Sequence, residues 1–549
     1  MQVPRRAWPG TALRSLQLKH AAAAAVMAAA AFTRLWDLHR HSLYFDEAFS
    51  LLVARFPFGQ MLKAQAGDPT PPFFNVLLRL FVLTGADGEA GRLLSALASL
   101  VGIAFLLSWG NILGKSPTLR SFGSTASAGF PGGRNRHSDG AWQVGALAAC
   151  LAILSGAQSE YALVVRAYTL AMALAAASTW FCVQAARTNR PAHWIGLTLC
   201  TIAGLYTHYY FAFVAIAQLC YLAIVCWSGK HLWKAAVISQ LVAFAAFTPW
   251  LVVMVNQFSQ VHRGHWIRPA SPVELVRLVK WFAVGDIRGR EFPGFVAAAT
   301  AFFAALALTG LVRAWKSREG KLLGLWACLP PVLALAGSRL QPMFVHKYLL
   351  ISAPAFCLLV SIGVVSLRSA WLRACCAALT LLFSAAGFWV TSVSQPSHRA
   401  DMRSACAYVE SHRAQDELAV HTTLFTFYPF LIYQREPGWN RVLPSGRLPA
   451  KFGGGLVRRK DILDIKRRTP RSFWLVVFQE DPFTGRLLDG VAEARKVVGD
   501  RCGVISRKRY RWIDIFRFRC QPASPPAGGL AIGPGGVTGR QEKAVWAGN

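Results

Sequence analysis

The chain has 549 residues, of which 54% are hydrophobic and only 15% are Asp, Glu, Lys or Arg. Because typical soluble domains carry about 25% charged residues, this composition excludes an ordinary soluble protein. The formal net charge is +33. Its basic residues form short clusters between apolar runs and not one soluble face, which favours a membrane protein over a nucleic-acid-binding one.

The first apolar segment follows a basic N-terminal stretch. Four basic residues between Arg5 and Lys19 precede Ala21–Phe32, which resembles the front of a signal peptide. The segment continues to Trp36 without a convincing small-residue cleavage site. We therefore interpret it as an uncleaved first membrane span.

About eleven segments are long and apolar enough to form transmembrane helices, which need about 20 mostly apolar residues each. They begin near Lys19, Arg92, Trp142, Ala167, His193, Tyr209, Ala235, Pro293, Lys321, Tyr348 and Trp371. The sequence therefore predicts a polytopic α-helical membrane protein.

Lys and Arg are concentrated in every other connection between these segments. The basic connections contain Lys115, Arg120, Arg134 and Arg136, then Arg187 and Arg190, then Lys230 and Lys234, then Arg313 to Lys321, and finally Arg368 and Arg373. The positive-inside rule places these connections and the N-terminus in the cytoplasm. Residues 1–393 then form the membrane domain, with two large outer loops at residues 37–91 and 256–292.

Residues 394–520 are predicted to form a small α/β domain on the outer side of the membrane. Short apolar runs between polar stretches indicate strands at Leu418–Phe430, Ser472–Phe478 and Trp512–Phe518. Amphipathic patterns indicate helices at Arg403–Ser411 and Leu487–Val498. The tail at residues 521–549 is rich in Pro, Gly and Ala and is predicted to be disordered. The cytoplasmic connection 114–141 is rich in Gly, Ser and Arg and is predicted to be flexible.

The twelve cysteines show no spacing typical of a zinc site. Cys502 and Cys520 lie in the predicted outer domain, where a disulfide can form. A pair of free thiols fits the sequence equally well.

Two acidic motifs lie in the first outer loop. Asp46 and Glu47 directly follow the first span, and Asp68 precedes Pro71-Pro72 about twenty residues later. The pair can mark a helix N-terminus, or supply a general base that accepts a proton from a hydroxyl. Asp68 can likewise cap a turn.

Basic and aromatic residues also lie at the outer ends of later spans, against the usual charge bias. They are Arg166 and Tyr168 before span four, His208 and Tyr209 between spans five and six, and His346, Lys347 and Tyr348 before span ten. Cations there can bind a lipid phosphate. Alternatively, the long side chains snorkel to the interface and His208 is a packing residue.

These motifs occur in a fixed order: Asp46-Glu47, Asp68 with Pro71-Pro72, Arg92 with Ser95, Arg166 with Tyr168, Thr207-His208-Tyr209, and Lys347-Tyr348. In this order and topology the sequence resembles the GT-C glycosyltransferases. The bacterial branch it resembles includes proteins similar to protein mannosyltransferases and to the aminoarabinose and galacturonic acid transferases of lipopolysaccharide. Many relatives have Arg in place of Lys347.

The resemblance implies an inverting transfer of a sugar from a polyprenyl-phosphate-linked donor to a hydroxyl of a lipid, glycan or protein acceptor. The reaction would take place on the outer, periplasmic face of the cytoplasmic membrane. Asp46 would be the base, and Glu47 its helper or an acceptor-orienting group. Asp68 would orient the sugar or the acceptor, or help to hold a divalent cation. Arg166, Lys347 and His346 would bind the donor phosphate, and Tyr168, His208, Tyr209 and Tyr348 would contact substrate.

Two other classes of function remain open. A transporter or flippase for lipid-linked glycans should show internal repeats or charges in mid-span, and neither is evident. A non-catalytic protein that binds lipid-linked sugars would use the carboxylates for recognition only.

Overall fold

The computed structural model describes residues 9–36, 38–39, 41–85, 87–113, 137–228, 232–264, 267, 269–287, 292–394, 400–444, 456–465, 469–479, 488–499 and 502–521. Most of the predicted cytoplasmic connection 114–141 and the predicted disordered tail lie outside these residues. The chain divides into two compact units. We call Met1–Arg40 with Pro57–Ser397 the helical unit, and His41–Phe56 with His398–Asn549 the sheet unit.

All secondary-structure elements in the described residues of the helical unit are helices. The α-helices are Pro9–Leu35, Phe58–Gln65, Phe73–Leu83, Arg92–Leu113, His137–Leu154, Gly156–Ala162, Tyr168–Thr188, Pro191–Leu205, Phe211–Ser228, Trp233–Gly264, Val273–Val284, Pro293–Ala314, Arg318–Gly337, Ala353–Val365 and Ala370–Trp389. Two 3-10 helices (Gly88–Gly91 and His346–Ser352) and one π-helical segment, Val390–Ser394, complete it.

The protein is a polytopic helical membrane protein. Each of the eleven predicted spans falls on a helix of this unit. Within the described residues, seven helices are long and apolar enough to cross a membrane; the predicted spans at Lys19, Trp142, His193 and Tyr209 are not among them. The total of about eleven spans therefore stays a prediction.

Small residues bring two of these helices into close contact. A Cβ added to Gly310 would clash with the carbonyl oxygen of Leu359, and one added to Gly363 would clash with that of Leu306. Helices in lipid associate by such close backbone approach, because no hydrophobic effect drives them together there. The glycines therefore fix the contact of Pro293–Ala314 with the helix that carries Gly363.

One arginine is completely buried in the helical unit. The guanidinium of Arg34 donates hydrogen bonds to the carbonyl oxygens of Ala152 (2.9 Å) and Ile153 (3.2 Å), and to the hydroxyls of Ser99 (3.2 Å) and Ser159 (2.8 Å). The two carbonyls belong to the last turn of the helix His137–Leu154. Arg34 therefore caps the negative end of that helix, whose final carbonyls have no partner within the helix.

The sheet unit contains one five-stranded sheet in the order β2-β1-β3-β5-β4. Its strands are β1 (Leu418–His421), β2 (Asn440–Val442), β3 (Ser472–Phe478), β4 (Cys502–Tyr510) and β5 (Ile513–Cys520). β1 pairs in parallel with β2 and β3, and β5 pairs antiparallel with β3 and β4. A disulfide between Cys502 and Cys520 joins paired positions of β4 and β5.

The described residues of the sheet unit also form four α-helices and the 3-10 helix Arg459–Asp461. The α-helices are Phe45–Ala54, Met402–His412, Leu424–Tyr433 and Gly490–Val498. The predicted strand Leu418–Phe430 is wrong in its second half, where the chain forms the helix Leu424–Tyr433. That segment is apolar almost throughout, so its pattern does not distinguish a buried helix from a buried strand.

A buried histidine connects β1 with its neighbours in the sheet unit. His421 is fully buried, with Nδ1 3.0 Å from the hydroxyl of Thr426 and Nε2 2.9 Å from the side-chain oxygen of Asn440. Burial lowers the pKa of His421 to about 4. Between about pH 6.5 and about pH 4 the unfolded state therefore binds a proton that the folded state does not.

We expect the sheet unit to lose stability as the pH falls through this range and to keep full stability above it. Hydrogen exchange of peptides covering β1 and the helix Leu424–Tyr433, measured in the full-length protein at about pH 7 and about pH 5 and corrected for intrinsic exchange, tests this. The variant His421→Gln should show less change in protection between the two pH values. Equal pH dependence in both proteins would contradict the prediction.

Candidate functional site

Asp68 lies in a tightly hydrogen-bonded turn of the helical unit. The helix Phe58–Gln65 ends just before it, and the amide N–H of Asp68 donates to the carbonyl of Gln65 (3.0 Å). Its carboxylate accepts hydrogen bonds from the hydroxyl of Thr70 and from the amide of Gln65 (3.3 Å). Nη2 of Arg166 lies 3.9 Å from the same carboxylate oxygen. Asp68 thus both shapes its turn and forms an ion pair.

A buried glutamine holds this turn from a distant helix. Nε2 of Gln257 donates to the carbonyl oxygens of Gln65 (3.0 Å) and Asp68 (2.5 Å). The phenol of Tyr209 donates to Oε1 of Gln257 and accepts a hydrogen bond from the indole of Trp250 (3.0 Å). Tyr209, predicted to contact substrate, is therefore engaged in positioning the Asp68 turn.

Arg166 lies in the turn that precedes the helix Tyr168–Thr188. The hydroxyl of Ser95 donates to its main-chain carbonyl (3.3 Å), which ties the turn to the start of the helix Arg92–Leu113. The side chains of Arg166 and Asp68 are only 12% and 16% exposed. An ion pair with so little solvent around it is screened less than one at a surface.

Lys347 is surrounded by aromatic rings. Its Nζ lies 5.5 Å from the ring centroid of Tyr168 and 5.8 Å from that of Tyr348. The rings of Tyr168 and Tyr348 are stacked at 5.9 Å, and the ring of His208 is 4.9 Å from that of Tyr348. Cation–π contacts of this kind hold an ammonium group in place without neutralising its charge.

His208 is the neutral member of this cluster. It lies in the connection between the helices Pro191–Leu205 and Phe211–Ser228 and is 5% exposed. Burial, reinforced by the charges of Arg166 and Lys347, lowers the pKa of His208 to about 3. Because its Nδ1 accepts from the amide N–H of Tyr210 (3.2 Å), the ring proton sits on Nε2.

His346 has different surroundings. Its Nε2 lies 3.4 Å from a carboxylate oxygen of Glu274, and its ring packs against Trp281. A phosphate at this position would face the carboxylate of Glu274. His346 is therefore the phosphate-binding candidate whose neighbours fit that role least.

Asp46 and Glu47 belong to the sheet unit. They lie in the first turn of Phe45–Ala54, which we call the Asp46 helix. The ring of Phe45 stacks on those of Phe425 (4.4 Å) and Tyr428 (5.4 Å). This packing anchors the helix to Leu424–Tyr433.

The two adjacent carboxylates have different environments. Glu47 is fully buried and accepts a hydrogen bond from the amide N–H of Tyr44 (3.0 Å), as the N3 residue of a capping box does. Asp46 is half-buried. Glu47 therefore stabilises the start of the helix, and Asp46 is the better placed of the two to meet a substrate.

The comparisons with known proteins concern the fold. No protein-family model and no curated protein matches the chain. Among solved structures, ArnT from Cupriavidus metallidurans bound to undecaprenyl phosphate matches with a TM-score of 0.57 and 12% identity, over 90% of this chain and 97% of that one. The apo state of the same ArnT gives 0.56 and 12%, over 92% and 98%. The chain has the GT-C fold.

Several residues that position the candidate site were not identified from the sequence. Gln65, Thr70 and Gln257 surround the Asp68 turn, and Tyr161 packs its ring edge-on against Tyr168 at 5.1 Å. Neutral side chains leave no charge signal in the sequence. Glu274, the partner of His346, lies in the loop 256–292 and is the one residue of this set that carries a charge.

A divalent cation stays a prediction. In the part of the GT-C chain that the structure describes, no three His, Cys, Asp or Glu side chains form a group that could hold a metal ion. Asp68 stands next to the guanidinium of Arg166, and a second cation at the same carboxylate would be repelled.

Proposed function

We propose that this protein transfers a sugar from a polyprenyl-phosphate-linked donor to a hydroxyl group of a lipid, glycan or protein acceptor, with inversion, on the outer face of the cytoplasmic membrane. The bond between the sugar C1 and the phosphate oxygen breaks while the acceptor oxygen bonds to C1. The hydroxyl proton passes to Asp46, and the leaving lipid phosphate takes the bonding electrons.

The observation that carries this proposal is the pair of cations around His208. Arg166 lies two residues before Tyr168, whose ring centroid is 5.5 Å from Nζ of Lys347 and 6.0 Å from the ring of His208. The two cations are thus brought to one cluster although they lie on elements far apart in the sequence. The phosphate gains negative charge as it leaves, and fixed cations stabilise that charge in the transition state. The shared fold adds support, since the ArnT structure is bound to undecaprenyl phosphate.

The remaining residues support the same assignment. A neutral His208 adds no charge to the cluster and offers its Nε2–H as a hydrogen-bond donor. The Asp68 turn, held by Gln65 and Gln257, keeps Arg166 oriented through the ion pair. Tyr168 and Tyr348 hold the ammonium of Lys347 between them.

We expect Arg166→Gln and Lys347→Gln each to weaken donor binding by about tenfold or more, because each removes a charge-assisted hydrogen bond to phosphate. The apparent KM for the donor measures this effect. Arg339→Gln removes one charge from an exposed residue that follows Arg318–Gly337 and serves as the control. An unchanged donor KM in Arg166→Gln would show that Arg166 does not bind the donor phosphate and only extends to the membrane interface.

The proposed function is tested by product formation. The purified protein in nanodiscs is incubated with a panel of polyprenyl-phosphate sugars and a crude envelope extract as acceptor source. Mass spectrometry then follows the release of polyprenyl phosphate. Release with one sugar supports the proposal and identifies the donor, whereas no release with any donor would favour a transporter or a binding protein.

A further inference from the structure

A cavity lies at the other end of two helices that contribute to the candidate site. It has a volume of about 200 Å³ and is lined by Ser108, Asn111 and Ile112 of one helix, and by Trp180, Gln184 and Arg187 of another. Tyr168 and Arg187 lie at opposite ends of the helix Tyr168–Thr188. At 1.5 Å per residue they are about 28 Å apart along its axis, which is about the thickness of the membrane core.

The lining of this cavity is rich in hydrogen-bond donors. The side-chain amides of Asn111 and Gln184 and the guanidinium of Arg187 supply these donors, and none of the described residues that line the cavity is a carboxylate. A guanidinium and neutral amides together favour an anionic ligand that accepts hydrogen bonds.

Arg187 is fixed at the wall of the cavity. Its Nη1 donates to the carbonyl of Ile112 (3.3 Å), and its Nε lies 3.6 Å from a carboxylate oxygen of Glu319. A guanidinium has five N–H groups in a rigid fork. These two contacts fix the orientation of the Arg187 guanidinium at the cavity. Glu319, which does not line the cavity, offsets part of the positive charge of Arg187.

We propose that this cavity binds the phosphate-containing headgroup of an anionic phospholipid from the leaflet opposite the candidate site. The cavity extends from Arg187 to Trp180, about 10 Å along the helix. Such a depth reaches from the headgroup level toward the acyl chains. Arg187 would bind the phosphate, and the side-chain amides of Asn111 and Gln184 would bind the glycerol and ester oxygens. Basic pockets between membrane helices recognise anionic headgroups in this way.

The test is native mass spectrometry of the full-length protein in detergent, titrated with phosphatidylglycerol, phosphatidylethanolamine or inorganic phosphate. We expect phosphatidylglycerol to bind with about tenfold higher affinity than phosphatidylethanolamine, and Arg187→Gln to remove that preference. Arg190→Gln changes the same charge on an exposed residue outside the cavity and should bind like the wild type.

A second variant tests the cavity independently, so that the test does not depend on the folding of Arg187→Gln. The double substitution Asn111→Leu with Gln184→Leu removes donors without changing charge and should also weaken phosphatidylglycerol binding. Equal binding of both lipids, or equal binding by all variants, would overturn the proposal. Displacement of phosphatidylglycerol by millimolar inorganic phosphate would assign the site to a soluble anion and overturn the lipid assignment.

Discussion

Replacement of Asp46 by Asn is expected to lower the rate of sugar transfer by about 10²–10⁴-fold, the usual contribution of a general base. The amide has nearly the shape of the carboxylate but cannot accept the hydroxyl proton. Since the cations that would bind the donor phosphate lie in the helical unit, Asp46→Asn should bind the donor with wild-type affinity. Single-turnover transfer and donor binding, measured separately, test both parts of this prediction.

Glu47→Gln provides the matched control for this experiment. The glutamine oxygen can still accept the hydrogen bond that Tyr44 donates to Glu47, so the Asp46 helix should form and most of the transfer rate should remain. Loss of transfer in Glu47→Gln with normal transfer in Asp46→Asn would make Glu47, and not Asp46, the base. Normal transfer in both variants would exclude this acidic pair as the source of the base.

The second large effect is expected on stability. Arg34→Met should destabilise the helical unit by about 3 kcal/mol or more, because it removes the buried donor of the Ala152 carbonyl and of two hydroxyls. The carbonyl of Ile153 keeps the hydrogen bond from the hydroxyl of Ser159. Arg34→Lys should recover only part of this loss, since one ammonium cannot match the planar fork. The thermal inactivation temperature in detergent, monitored by size-exclusion chromatography, measures the effect.

Arg368→Met is the control for the Arg34 variants, because Arg368 is exposed in a connection outside the helices. Its inactivation temperature should equal that of the wild type. If Arg34→Met also behaved like the wild type, the bonds to Ala152 and Ile153 would not cap the helix His137–Leu154 in solution.

The helices of the membrane region could be predicted because hydropathy alone defines an apolar segment of sufficient length. The span that begins near Pro293, for example, corresponds to a helix that starts at that residue. Charges at the ends of spans also made Arg166 and Lys347 recognisable, since cations are unusual on an outer face. Both signals are local in the sequence, so they do not require knowledge of tertiary contacts.

Other features depend on contacts between distant parts of the chain and could not be predicted. The stacking of Phe45 on Phe425 assigns the Asp46 helix to the sheet unit, and no local pattern reveals this. The roles of Gln65 and Gln257 depend on one amide reaching the main chain of another helix. The pairing of His346 with Glu274 likewise became visible only in the structure.

The position of the Asp46 helix has a consequence for biosynthesis. Asp46 leaves the ribosome long before Phe425 and Tyr428, the residues on which Phe45 stacks. At about 5–20 residues per second, this interval is on the order of tens of seconds. During that time the Asp46 helix lacks the two rings on which Phe45 stacks. If Asp46 is the base, as we propose, an unfinished chain lacks an ordered base, and a truncated product that reaches the membrane would be catalytically silent.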